Sequence, residues 1–238
     1  MTTRTAQTSL PIRARVLGLV YLMAFPIDLF GFLYVPSRLV VPGDAATTAS
    51  NIIASETLFR LGIVSILLGQ IVGLLVVLAL YKVLKGVNNN IAVLMVIFGL
   101  VSVSIGVVNE FSQFAILLLL HGPDNLTVFS AAQLNSLVPL LLNLHNLGIR
   151  IDEVFNGLEL FFMGYLVFKS GFLPRIVGVA LVIACFGYLI QDFSAFLFPN
   201  LAVNVILLTG WGELIFPLWL LVRGINVERW EKRALAAA

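Results

Sequence analysis

The chain has 238 residues, of which 60% are hydrophobic and 11% charged, and its formal net charge is +2. Soluble domains carry roughly a quarter charged residues, so the composition excludes an ordinary water-soluble globule. The single Cys185 excludes an intramolecular disulfide, and the absence of a basic patch interleaved with aromatics gives no sign of nucleic-acid binding.

Apolar runs long enough to cross a hydrocarbon core of about 30 Å as a helix recur along the chain. The first, about 16–35, follows Arg13 and Arg15. It is too long for a signal peptide and ends at Tyr34-Val35-Pro36 without a small-residue cleavage site, which makes it a retained helix. Tyr21, Phe25 and Asp28 share one of its faces, just around Pro26. Pro42-Gly43-Asp44 then leads into an Ala-rich segment, with Asp44 placed as the N-cap of a short helix.

The second span, 58–84, opens with Arg60 and contains Gly69-x-x-x-Gly73, a spacing that marks close helix packing. The third, 91–120, carries Ser102, Gly106, Asn109, Glu110 and Gln113. Both exceed what a bilayer needs, so tilt or a protruding end is expected. Between His121 and Gly148, after Pro123, the residues Leu134, Leu137, Val138, Leu141, Leu142 and Leu144 follow helical spacing. This segment is read as a short amphipathic helix on the outer surface, or as a lid.

The fourth span, 149–168, is unusual. His145, Asp152, Asn156, Glu159 and Met163 fall on one face at three- and four-residue steps, flanked by Arg150 and Glu153. Lipid does not solvate such a stripe, so it must face protein or a wet cavity. In the turn Lys169-Ser170-Gly171-Phe172-Leu173-Pro174, Gly is the helix stop and Pro the first residue of the next helix. The fifth span, 175–197, offers Tyr188, Gln191 and Asp192; the sixth, 203–222, offers Asn204, Thr209 and Glu213. Pro217, four residues after Glu213, leaves the Glu213 carbonyl without its helical donor. Trp211, Trp219 and Trp230 read as packing or interfacial anchors.

Placing the N-terminus inside puts Arg4, Arg13, Arg15, Lys82, Lys85, Lys169, Arg175, Arg223, Arg229, Lys232 and Arg233 on one face, and leaves only Arg38, Arg60 and Arg150 elsewhere. With short loops, that bias predicts cytoplasmic termini. The expected fold is thus all-α: a polytopic integral membrane protein built as a six-transmembrane-helix bundle with a short outer amphipathic helix, a single membrane domain over 1–238. Asp28, Glu110, Asp152, Asn156, Glu159, Asp192 and Glu213 are the candidate binding residues of an outward-opening acidic pocket, with Glu159 and Glu213 at its floor and Arg60 and Arg150 as counter-charges.

Three functions fit these residues. The carboxylates could bind or transport a cation or small solute. They could serve a membrane enzyme acting on a lipid-like substrate, where an oxygen-rich site would suit hard cations better than zinc. They could form an ion-pair network that only holds the helices. The chain has no His-Glu-x-x-His, Gly-x-Ser-x-Gly or Walker loop. His121 and His145 lie outside the spans, against an intramembrane bis-histidine haem. No cofactor or catalytic residue is specified, and the one partner implied is the lipid bilayer.

Asp44-Ala45-Ala46-Thr47, Asn51-Ile52-Ile53-Ala54-Ser55-Glu56 and Leu58-Phe59-Arg60-Leu61-Gly62 resemble the region before and within the second helix of one family of bacterial membrane proteins. Gly164-Tyr165-Leu166-Val167-Phe168-Lys169-Ser170-Gly171-Phe172-Leu173-Pro174-Arg175, with Gly178 and Gly187-Tyr188, resembles its later signature. The family is domain of unknown function 4386, and the similarity runs from about Arg15 to Arg223. The resemblance implies a compact multi-pass helical protein of the bacterial inner membrane and brings no activity. Its motif includes the arginine matching Arg60, which favours an ion-pair network; the acid-rich fourth helix departs from its pattern.

Overall fold

The computed structural model describes residues 2–121, 129–198, 200–201 and 203–236. Pro123 and the side chain of Arg4 lie outside the described residues. Among the described residues every regular element is helical: α1 Thr2–Leu29, a π-helical turn Phe30–Tyr34, α2 Val35–Leu39, α3 Ala45–Ala54, α4 Glu56–Leu84, α5 Asn89–Asn109, α6 Phe111–Leu120, α7 Ala131–Ser170, α8 Arg175–Leu197, α9 Ile206–Thr209, α10 Trp211–Val222 and α11 Val227–Ala236.

Four stretches are long and apolar enough to cross a membrane: Ile12–Leu39, Glu56–Leu84, Asn89–Leu120 and Arg175–Leu197. A fifth is reached if Ile206–Val222 and Val227–Leu235, bent by 102°, are taken together. The six separate spans read from the sequence are therefore not all reproduced. The fourth lies within α7, where Arg150, Asp152, Glu153 and Glu159 interrupt the apolar run. The sixth is divided at Gly210 into α9 and α10.

A second correction concerns the outer amphipathic helix, which is the beginning of α7 and no separate element. Leu137, Leu140, Leu144, Leu147 and Ile151, and again Phe161, Tyr165 and Phe168, are exposed at three- and four-residue steps, with half-buried Val154 and Leu158 between the two runs. The helix continues through Pro139. Its 40 residues extend about 60 Å at helical rise, twice a hydrocarbon core. The same pattern marks α8, where Ile176, Val179, Ile183, Phe186, Ile190, Phe193 and Leu197 are exposed, and α4, where Leu61, Val64, Leu68, Ile71, Leu75 and Leu78 are. Rows of bare aliphatic and aromatic side chains this long are untenable in water and ordinary against lipid.

The chain divides into two compact units, 1–24 with 72–103 and 152–238, and 25–71 with 104–151; the division falls inside α1, α4, α5 and α7. In the first unit Leu80, Leu84, Met95, Met163, Leu166, Leu181 and Phe216 form the core. Cys185 is buried there too. The 169–174 turn is set by Gly171, at φ +74°, and by Pro174, which stands at the N-cap of α8 and not as its first residue. In the second unit Val35, Leu39, Ala49, Ile52, Phe59, Ile63, Ile116, Leu117 and Val138 form the core. Asp44 caps α3 as expected, its carboxylate accepting from the Thr47 amide at 2.9 Å and hydroxyl at 2.6 Å.

Within that second unit, the chain around the π-helical turn lies close to α4 through small residues. A Cβ on Gly31 would come within 2.6 Å of both Ser65 Oγ and Ile66 Cγ1, and one on Gly62 within 3.0 Å of Val35. The close-packing stripe of α4 is therefore Gly62, Ser65 and Gly69. Gly73 has nothing within 4 Å of its Cβ position, so it takes no part.

Candidate functional site

Three helices of the first unit send a polar side chain to one carboxylate on a fourth. Tyr188 of α8 donates its hydroxyl to Glu213 Oε2 of α10 at 2.8 Å. Tyr21 of α1 and Asn156 of α7 also hydrogen-bond to Glu213. Glu159, three residues after Asn156 on α7, is buried and feels both Glu213 and Asp152 electrostatically. Asp152 accepts a short hydrogen bond from Ser102 of α5. The 152, 156 and 159 stripe thus sits on the side of α7 opposite its apolar exposed stripe, as helical periodicity dictates.

Glycines make room for these acids. A Cβ on Gly99 of α5 would lie 2.7 Å from Glu159 Oε2. In the second unit, Asp28 is half-buried and its Oδ1 rests against Gly69 closely enough to overlap any added Cβ. A helix surface without a side chain lets a carboxylate approach the backbone of its neighbour.

The second unit holds a different polar group. Asn109 donates to the His145 carbonyl at 2.8 Å and lies 3.1 Å from its Nδ1, while Gln113 Nε2 stands 2.9 Å from His145 Nε2. The carbonyl contact fixes Asn109 with its amide nitrogen toward Nδ1, which makes Nδ1 the acceptor and Nε2–H the donor, toward the oxygen of a flipped Gln113 amide. Glu110, at the break between α5 and α6, is 1% exposed and neither carboxylate oxygen is hydrogen-bonded; its Oε1 is 3.8 Å from His145 Nδ1. A cavity of about 130 Å³ in this unit is lined by Phe32, Phe59, Gln113, Leu142, His145 and Asn146 among others, and by none of the acids named from the sequence.

The candidate residues therefore fall into two groups. Asp152, Asn156, Glu159 and Glu213 come together in the first unit, which also holds Asp192, fully buried on α8. Asp28, Glu110, Arg60 and Arg150 belong to the second. Arg60 is exposed and pairs with Glu56 one turn before it on α4, and His121 Nε2 lies 2.9 Å from the other Glu56 oxygen. That i, i+4 pairing was visible in the spacing, yet the sequence reading assigned Arg60 to the pocket instead. From the sequence Tyr21, Ser102 and Tyr188 are only polar neighbours; nothing in their spacing marks which acid each serves. Among the described residues no three His, Cys, Asp or Glu side chains are grouped to hold a metal ion.

An all-helical chain with several apolar helices of membrane-crossing length, and with carboxylates set into them, has the make-up of an integral membrane protein. The chain belongs to the family described as domain of unknown function (DUF4386), whose model matches residues 16–224. It is 32% identical over 162 residues to an uncharacterised protein of the archaeon Archaeoglobus fulgidus, an alignment covering 68% of this chain and 83% of the relative. No solved structure matches it.

Proposed function

We propose that this is a six-span protein of the cell membrane, one membrane domain with both termini in the cytoplasm, that binds and moves a small cation, the proton included, through the Glu159–Glu213 carboxylates. The six-span reading adds α7 and the α9–α10 segment to the four stretches that are long and apolar enough; the two exposed apolar runs of α7 support it. The orientation rests on the basic residues clustered at one set of helix ends.

The observation that carries the function is the convergence of Tyr21, Asn156 and Tyr188 on Glu213, with Glu159 and Asp152 beside it. Two acids, Glu159 and Glu213, with which no Lys or Arg pairs among the described residues, are poorly suited to holding helices together, because a buried ion-pair network needs its cations. They suit a site whose positive charge arrives from outside. Asp192, buried in the same unit, adds a further acid to the site in this reading.

Proteoliposomes carrying an internal pH dye, given an imposed Na⁺, K⁺ or proton gradient, test this. The wild type is expected to dissipate at least one gradient faster than empty vesicles, and Glu159→Gln to reduce that rate at least tenfold while Arg60→Gln leaves it within about twofold. Wild-type vesicles that behave like empty ones under all three gradients would contradict the proposal.

A further inference from the structure

The first unit contains a larger cavity, of about 460 Å³, away from any of the carboxylates described above. Its polar lining comes from Lys82 and Lys85 at the end of α4, Asn88 and Asn89 at the start of α5, and Trp230 and Arg233 of α11. Three lining residues are cationic and none is acidic. Three cations around one hollow without an acid give it a positive potential that attracts an anion.

The cavity is built, and does not depend on chance crowding of long side chains. Gly224, at φ +67°, lets the chain turn by 102° between α10 and α11. Side chains then tie α11 to three carbonyls at the ends of α4 and α7: Trp230 Nε1 donates to Val83 O at 2.9 Å, Arg233 Nη2 to Lys169 O at 3.0 Å, and Arg229 Nη1 to Gly171 O, just past α7, at 3.0 Å. Tyr81 donates to Asn89 Oδ1 at 3.0 Å, and Lys85 lies over the Tyr81 ring. Lys82 remains exposed, and Arg233 uses one guanidinium nitrogen on the backbone while the fork keeps further donors.

We propose that this cavity binds a phosphate group, and that the group is the headgroup of an anionic phospholipid. The phosphate chemistry follows from three cations and amide donors around one hollow. The lipid source follows from α4 itself. Leu75 and Leu78 are exposed, and Lys82 follows Leu78 by four residues on the same face. A headgroup at Lys82 thus has its acyl chains beside a bare apolar stripe, and Trp230 provides the amphipathic ring favoured at such a boundary.

The test is lipid retention by native mass spectrometry of the detergent-solubilised full chain, with phosphatidylglycerol, phosphatidylcholine or inorganic phosphate added in separate arms. Phosphatidylglycerol is expected to bind selectively over phosphatidylcholine. Each single variant, Lys82→Gln or Lys85→Gln, weakens it about fivefold, and the triple variant with Arg233→Gln about a hundredfold, if each cation contributes as one charge near a membrane surface. A charge-matched control, Arg175→Gln with Arg223→Gln and Lys232→Gln, retains binding within about threefold. Because Lys82 and Lys85 are exposed, their single variants remain informative should the triple variant not fold. Equal retention of phosphatidylcholine, or undiminished binding by the single variants, would overturn the proposal. Millimolar inorganic phosphate displacing the lipid completely would overturn the lipid source in favour of a soluble phosphate.

Discussion

Gly69 and Gly73 have the same spacing motif and opposite environments. At Gly69 an added Cβ collides with the Asp28 carboxylate, whereas at Gly73 it meets nothing within 4 Å. Gly69→Ala is therefore expected to destabilise by about 1–3 kcal/mol through overpacking. Gly73→Ala should stay within about 1 kcal/mol of wild type, since helix propensity favours alanine there. Chemical unfolding in detergent distinguishes them, and equal effects would contradict this account of Asp28. The motif showed that a glycine mattered on this helix; which glycine did depends on where α1 carries Asp28, and that is tertiary information. Asp44 behaves differently, because its role is local. Its hydrogen bonds from the Thr47 hydroxyl and amide hold its carboxyl below the usual 3.8. A depressed folded-state value means that the cap stabilises above pH 3.8 and that this contribution disappears as pH falls through the lower folded value. Asp44→Ala should consequently lower the thermal midpoint at pH 7 and converge on wild type in strong acid.

At the scale of elements, helix existence was legible from apolar length, and helix continuity was not. The sequence reading separated an amphipathic helix from a fourth span because charges and Pro139 interrupt the hydropathy. The structure joins them, since hydropathy sums over all faces while packing depends on one. The exposed runs from Leu137 to Ile151 and from Phe161 to Phe168 were present in the spacing all along. The 169–174 turn is a converse case, where Gly and Pro mark the boundary but the detail shifts by one residue. Gly171 adopts φ +74° with open space around its Cβ position, so Gly171→Ala is costly for backbone reasons alone, about 1–2 kcal/mol. Trp230→Phe removes the tie to Val83 O and should cost about 1 kcal/mol, a typical hydrogen bond. Faster limited proteolysis within 224–236, with the remaining helices protected, is the expected signature.

For the whole molecule, sequence placed carboxylates in apolar helices and grouped Asp152, Asn156 and Glu159 by periodicity, a grouping that needs only one helix. It did not assign Tyr21 and Tyr188 to Glu213, or Glu56 to Arg60, because helix rotation and neighbour order are set by packing. The central claim is that Glu159 is placed for a ligand and not for the fold. Among the described residues no Lys or Arg pairs with Glu159, which lies beside Glu213 and Asp152, so Glu159→Gln breaks no ion pair. Glu213 accepts from three donors, and an amide at that position sets its NH₂ against one of them, so Glu213→Gln serves as the destabilised reference. Thermal unfolding of wild type, Glu159→Gln and Glu213→Gln in one detergent at pH 7 measures this directly. The account predicts a midpoint for Glu159→Gln at or above wild type, as at a working site not optimised for stability, and a lower one for Glu213→Gln. A fall of several degrees in Glu159→Gln would show that this carboxylate is scaffolding, and would contradict the claim.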